Sequence, residues 1–386
     1  MKSKSYQSTL LLLALFSSTP NPFGTAEAAT KKAKPDVDEL FSAPKVFEIK
    51  IEIPSASLDS LKNDPHKYVR AVVREGTKVF TDAGIRFKGS GPFQPVDKRP
   101  SLAVKFNEFI SGTRFYGHSK LFLENAHQDP TFVCEALGGE LFRAAGVPAP
   151  RHNYAHLELN GRDLGLYVLA EAVNKDFLVK YFSHTKGNLY EGSNADITEK
   201  LEKDSGDESK DQKDLKALAA AAKEPDPAAR LKKLSTLLDV DRFISLAATE
   251  VFSWHRDGYS LDRNNYRVYN DPGTNQMVFI PHGFDQLFGK PKGPLFPEWK
   301  GLVAKAILET SEGKAKYRDR LTKLMGSAFK TDAITNRINQ LAAVVKPLAG
   351  HDSTHGPGYD NAVAQLRNRV LERAAFLDEE LKKPPK

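Results

Sequence analysis

One stretch of this chain holds residues spaced as phosphoryl transfer would need them. SWHRDGYSLDRNNYRVYND, Ser253 to Asp271, contains His-Arg-Asp followed by Asn264 and Asn265. An apolar run then delivers Asp285 in IPHGFDQLFG, Ile280 to Gly289. Phosphoryl transfer asks for an acid that receives the hydroxyl proton, oxygen ligands for a metal, and a lysine paired with a glutamate beside the phosphates. Asp257 suits the first role. Asn264 or Asn265, with Asp285, suits the second, because Mg2+ prefers oxygen donors. In an ordinary kinase the metal-binding Asn follows the Asp by five residues. Here that position is Asp262, and the Asn pair lies seven and eight residues on. The tripeptide alone therefore decides nothing.

The other parts lie upstream. In GIRFKGSGPF, Lys88 stands beside Gly89 and Gly91, which free the backbone to approach an anion; the same residues also suit an ordinary hairpin turn. Lys105 sits in the alternating run SLAVKFNEF, on the face opposite Val104 and Phe106. Such a lysine reaches phosphates across a cleft or simply faces solvent. Lys98, in a loop, is a second candidate. Glu135 and Glu140 share one helical run, five residues apart, and point about 140° apart, so only one faces the sheet. Other chemistries are weaker. There is no Gly-x-Ser-x-Gly elbow. HDSTH, His351 to His355, lies among Gly and Pro that argue against the helix a zinc pair would use.

The elements that must position these residues are legible as patterns. VFEIKIEI, Val46 to Ile53, alternates as a half-buried strand does. VRAVVRE and VFTDAGIRFKGSG read as two more strands. TFVCEALGGELFRAAGVPAP has helical spacing, with Asp129 or Thr131 at its start and Gly146 with Pro148 at its end. YAHLELNGRDLGLYVLAEAV reads as a hairpin turned at Asn160-Gly161. Residues 46–173 thus predict an antiparallel sheet carrying one helix, an α+β pattern. Residues 193–235 are charged and alanine-rich, and read as a flexible acidic segment followed by solvated helices. DVDRFISLAATEVFSWH predicts an amphipathic helix feeding the Asp257 loop. YRVYND and QMVFIPHGFD predict a second hairpin about Asp271-Pro272-Gly273. Residues 290–386 read as helices and loops.

The chain has 386 residues, 40% hydrophobic and 27% charged, enough for two lobes with their own cores. Its net charge of +7 favours anionic partners. The Lys and Arg residues are scattered, with no basic arm or aromatic-basic stripe, so nucleic acid is not an expected partner. Lys2 and Lys4 precede LLLLALF, Leu10 to Phe16, and AEAA, Ala26 to Ala29. That pattern predicts a signal peptide over residues 1–28, cleaved ahead of Ala29. Its apolar run is too short to span a bilayer. The expectation is a secreted, periplasmic or cell-surface protein without a membrane span, its residues 29–45 a linker. The single cysteine, Cys134, lies in an apolar run and reads as a buried thiol.

Eight blocks, in order, resemble the CotH kinase family, the spore-coat protein H group of secreted atypical kinases. They are VFEIKIEIPSASLDSL, GIRFKGSG, KRPSLAVKFNEF with RFYGHSKLFLEN, DPTFVCEALGGELFRAAGVPAPR, LNGRDLGLYVLAEAVNKDFL, GNLYEG, DGYSLDRNNYRVYND and FIPHGFDQLFG. The resemblance implies a protein-kinase-like two-lobe fold, with an N-lobe over 46–173 and a mainly helical C-lobe over 174–386. It implies ATP and Mg2+, and a reaction on Ser or Thr of secreted or surface proteins. Lys105 then looks like the nucleotide-pairing lysine and Glu135 its helix partner. Lys88 with Gly89 resembles the phosphate-side loop. YVLAEAV, with Glu171, resembles the hinge beside adenine. Asp257 resembles the catalytic Asp, Asn265 a metal ligand with Asn264 in reserve, and Asp285 the metal-binding Asp. There are departures. Many relatives carry two acids in a Pro-Trp-Asp-x-Asp turn, which here reads Pro281-His282-Gly283-Phe284-Asp285, and Asp262 competes with Asp257 as the base. The alternative is an exported structural or adhesive protein on a kinase fold without catalysis. A third reading moves AMP from the same cradle.

Overall fold

The computed structural model describes residues 39–89, 98–207, 209, 211–350 and 358–384. The signal-peptide reading, the first part of the linker, Gly91 and the HDSTH stretch lie outside the described residues.

Period-two alternation makes β1 (Val46–Glu52), which buries Phe47, Ile49 and Ile51. A short helix that the sequence reading did not anticipate, α1 (Ser55–Asn63), follows; Leu61 is its one buried residue, so it carries little apolar signal. β2 (Val69–Glu75), β3 (Lys78–Phe87), β4 (Leu102–Lys105) and β5 (Lys120–Glu124) then pair antiparallel in succession. Helix α2 (Cys134–Ala144) starts where the Asp129 carboxylate accepts the Cys134 N–H at 2.8 Å and Thr131 Oγ1 accepts that of Val133 at 3.1 Å. β6 (His152–Leu159) and β7 (Arg162–Glu171) form the expected hairpin. Asn160 and Gly161, at φ 50° and 76°, supply the left-handed pair that a two-residue turn requires.

β7 pairs with β5, and β6 returns to β1 in parallel. The expected antiparallel sheet is corrected at this one parallel pairing, which closes it as a seven-stranded barrel in the order β1-β2-β3-β4-β5-β7-β6. Closure removes exposed strand edges. Alternation reveals which face of a strand is buried but not which edges meet, so this step was not legible.

Beyond the barrel come α3 (Lys175–Tyr181), β8 (Leu189–Gly192), β9 (Glu202–Ser205), α4 (Lys213–Ala222), α5 (Pro227–Leu237), α6 (Val240–Ser253), the single turn α7 (Tyr259–Asp262), β10 (Tyr266–Asp271) and β11 (Gln276–Pro281). The strands form a sheet of order β11-β10-β8-β9. Helices α8 (Leu302–Leu308), α9 (Ser311–Gly326), α10 (Thr331–Ala349) and α11 (Tyr359–Lys382) complete the fold. The charged stretch read as a flexible acidic segment followed by solvated helices contributes β9 and the helices α4 and α5. It buries Leu201, Leu215, Leu218 and Leu234, because its alanines and leucines fall on one helical stripe that the charge count hides. Cys134 is buried and free. Among the described residues no helix is long and apolar enough to cross a membrane.

Apolar side chains collect in two main cores. One fills the barrel. The other is shared by α2, the second sheet and the helices behind it. Helix α2 thus joins the two halves of the protein.

Candidate functional site

Strand alternation decides what the barrel shows to the second half. β3 and β5 turn Ile85, Phe87, Leu121 and Leu123 inward. Arg86, Lys88, Lys120, Phe122 and Glu124 therefore project outward, where with residues of β7, β8, β9 and β10 they line a cavity of about 430 Å3.

Lys88, at the end of β3, has its Nζ 2.6 Å from the Glu124 carboxylate. Burial works against its charge, but Glu124, with Glu135 and Glu191 nearby, more than offsets this and raises its pKa. Gly89, at φ 128°, turns the chain in a conformation that L side chains rarely adopt and also lines the cavity.

Glu135 enters the same cavity from the first turn of α2. Burial pushes its carboxyl up to about 7, while the Phe284 backbone N–H and the Lys88 ammonium act in the opposite sense. Its Oε2 lies 3.3 Å from His152 Nε2. Burial, then the nearby Arg143, pushes His152 down to about 3. The contact therefore joins a neutral imidazole to the acid and is not an ion pair. Glu140 faces away and takes Arg337 of α10 at 2.6 Å. Of the two helix glutamates, Glu135 is the one on the cavity.

Asp285 follows the second hairpin. It too is pushed up to about 7, first by burial and then by the carboxylates of Glu135, Glu124, Asp129 and Asp257. Acids this close do not ionise independently. Phe284, beside it, is buried on α2: its ring centroid is 5.2 Å from that of Phe142, and it rests over Gly138.

Asp257 is placed by the end of α6. Trp254 takes a left-handed turn, φ 47°, and His255 folds beneath it. Burial pushes His255 down to about 4. It is therefore neutral, and its Nε2–H donates to the Gly283 carbonyl at 2.9 Å. Asp257 Oδ2 takes the Gln286 amide at 3.4 Å. Asp257 is among the charges acting on Asp285, whereas Asp262 lies on α7. Asn265 lines the cavity, and its Nδ2 donates to the Gly283 carbonyl at 3.2 Å. Asn264 instead accepts the Asn194 N–H at 3.2 Å.

Two expected residues are occupied elsewhere. Lys105 pairs with Glu108 at 2.6 Å and is not on the cavity wall, so no Lys105–Glu135 pair forms. The register explains this. Lys88 donates its backbone N–H to Ser101, and Lys105 lies four residues further along that strand, roughly 13 Å away. Lys98 does not line the cavity either. Glu171 does line it, but its buried carboxylate is taken by Arg151 at 2.8 Å and Lys180 at 2.9 Å. It fixes the end of β7 against α3.

Sequence reasoning did not single out Glu124, His255 or Phe284 as site residues. The alternation of KLFLE was the available signal for Glu124. Among the described residues no group of three or more His, Cys, Asp or Glu is arranged to hold a metal by itself. The set still fits Mg2+, which keeps waters and is typically held by one or two carboxylates plus substrate phosphates. Asp285 is a carboxylate crowded by like charge, and Asn265 offers an amide oxygen.

A closed barrel, a helical half joined to it by α2, and a cavity lined by a lysine–carboxylate array define a mixed α+β protein built around a ligand-sized site. The family model described as CotH kinase protein matches residues 85–377, and the chain belongs to that family. The resemblance read from the sequence is thereby confirmed. The chain is similar to the inner spore coat protein H of Bacillus subtilis, at 23% identity over 331 residues, 80% of this chain and 86% of that protein. It is similar to invasin CotH2 of Rhizopus delemar at 24% identity, covering 62% of this chain and 46% of that one. Invasin CotH3 of the same organism matches at 24%, covering 65% and 47%. The chain thus spans less than half the length of either invasin.

Proposed function

We propose that this chain is an exported protein kinase that uses ATP and Mg2+ to phosphorylate Ser or Thr of secreted or surface proteins. One observation carries the reading: Lys88, clamped by Glu124, lines one cavity with Glu135, Asn265 and Gly283, and Glu135 is the first of the charges that crowd Asp285, two residues beyond Gly283 and itself off the cavity wall. In this reading the barrel half, residues 46–173, serves as the N-lobe and residues 174–386 as the C-lobe. Lys88, kept charged by its acidic neighbours, meets phosphate oxygens. Asp285 and Asn265 hold the metal, which supplies charge neutralisation and a template for the phosphates. Asp257 orients the acceptor hydroxyl and receives its proton. The hinge after β7 contributes its backbone. The coat and invasin names of the relatives, with the signal-peptide pattern, support an extracellular setting.

The test is transfer of labelled γ-phosphate to the protein itself or to a generic protein acceptor. Asp257→Ala and Asp285→Ala are each expected to abolish incorporation, and incorporation that persists in both sinks the reading. A second reading is favoured by Gly283, which stands where many relatives carry a second acid. On it the protein is a kinase-fold coat or adhesive protein without catalysis. Stabilisation by ATP with Mg2+ but no transfer to any acceptor would select it.

A further inference from the structure

The kinase reading uses only one end of the cavity. At the Lys88 end the cation is answered by Glu124, Glu135 and Glu191. Glu191 also acts on Lys120, but among the described residues no carboxylate touches Lys120 or Arg86 at the other end. Lys120 on β5 and Arg86 on β3 both line the cavity. Lys105 lies directly across from Lys120 in the strand register, but its charge is taken by Glu108. Arg267 on β10 closes this end from the other half, held by Glu191 at 2.8 Å and by Asp204. Burial, then Arg267 and Arg86, pushes the Lys120 ammonium down to about 8. His282 Nε2 lines the same cavity, buried and without a hydrogen-bond partner.

Arg86 meets the Tyr68 hydroxyl and lies 5.4 Å from the centre of its ring, but among the described residues neither it nor Lys120 touches a carboxylate, and cations so placed in a partly desolvated cavity are unfavourable unless an anion answers them. An adenine ring carries no charge to do so. Both lysines sit against the Phe122 ring, Lys88 Nζ at 5.0 Å and Lys120 Nζ at 5.1 Å from its centroid. The two ammonium groups are thus no more than about 10 Å apart, a span that one small phosphorylated ligand bridges.

We infer that the Arg86–Lys120 end of the cavity is an anion subsite for a phosphate-type group, separate from the transferring end at Lys88. Arg86 supplies a planar fork that suits two oxygens at once, and Lys120 a point charge. The shared chemistry has two sources: a phosphate on the ribose of the bound nucleotide, or a free oxyanion. The inference rests on the kinase reading only for what occupies the Lys88 end.

The experiment uses the full chain and no divalent cation. Inorganic pyrophosphate and adenosine 3′,5′-bisphosphate are titrated against thermal unfolding, with AMP as reference. A bisphosphate that binds roughly tenfold or more tighter than AMP assigns the subsite to the nucleotide ribose. A pyrophosphate shift without that preference assigns it to a free oxyanion. In either case the effect is expected to disappear in Arg86→Gln/Lys120→Gln and to persist in Lys88→Gln. Lys120→Arg, which keeps the charge, is expected to retain binding, so a loss caused by misfolding is separable. A shift that survives the double variant, or no shift with either probe, overturns the inference. Asp285→Ala is expected to leave these metal-free shifts intact, so failure of the kinase reading and failure of the subsite are distinguishable.

Discussion

Gly283 lies so close to Asn265 that no side chain fits between them: a Cβ on Gly283 would stand 2.7 Å from Asn265 Nδ2 and 2.8 Å from its Cγ. The backbone there is left-handed, at φ 67°. Its carbonyl accepts hydrogen bonds from both Asn265 and His255. Residue 283 therefore ties the Asp257 loop to the Asp285 loop through its backbone. An acid cannot simply be placed here. Gly283→Asp is expected to lose about 1–2 kcal/mol of stability from the backbone alone, read as a lowered urea midpoint, and to weaken nucleotide stabilisation by Mg2+. A variant as stable as the parent with tighter Mg2+-dependent binding would contradict this.

Helix α2 reaches the Asp285 loop through a second glycine. A Cβ on Gly138 would stand 2.5 Å from both Cβ and Cγ of Phe284. Phe284 is wholly buried, so it has nowhere to retreat. Gly138→Ala is expected to destabilise by about 1–3 kcal/mol through overpacking. Because the same shift moves Glu135 relative to Lys88, the proposed kinase activity should show a raised KM for ATP as well. Chemical denaturation and steady-state kinetics check the two effects separately, and an unchanged KM would uncouple α2 from the site.

Much of this arrangement was legible. The helix bearing Glu135, the Asn160-Gly161 hairpin and the hairpin leading to Asp285 follow from periodicity and turn chemistry, which are local. What failed was pairing between distant strands. Lys88 and Lys105 carry the same local signal, a lysine beside apolar residues on a strand. Only the β3–β4 register, Gly84 opposite Lys105, decides which one reaches the carboxylates. Barrel closure failed for the same reason. The buried face of α4 failed because its helical stripe is built from alanine as much as leucine.

That register yields a comparison of two lysines. Lys88→Ala removes the cation clamped by Glu124 and is expected to weaken ATP binding roughly tenfold or more, measured by calorimetric titration with Mg2+. Lys105→Ala removes a pair whose members are 38% and 26% exposed. Such pairs contribute about 0–1 kcal/mol, so ATP binding should be unchanged. The reverse ranking would return the nucleotide to Lys105.

Glu250 offers the cleanest pH signature, because it is buried in α6. Its Oε2 accepts the Ser260 N–H at 3.0 Å, while Oε1 is buried without a partner. Burial pushes its carboxyl from 4.5 up to about 7. Between those values the folded chain holds a proton that the unfolded chain has released. The group's contribution is therefore fully present below about 4.5 and is lost as pH rises through about 7. The buried histidines act in the opposite sense: His152, His255 and His282 are pushed down to about 3, 4 and 3, so they add stability as pH rises toward 6.5. A single stability curve mixes both effects. The difference between the parent and Glu250→Gln does not, because both proteins carry the histidines. Gln stays neutral throughout, so the variant is expected to gain on the parent as pH rises from 5 to 8, by on the order of 3 kcal/mol at most. Urea unfolding at the two pH values measures it. A difference that stays flat would mean Glu250 is already ionised in the folded protein at pH 5, and that its orphaned oxygen has found a partner.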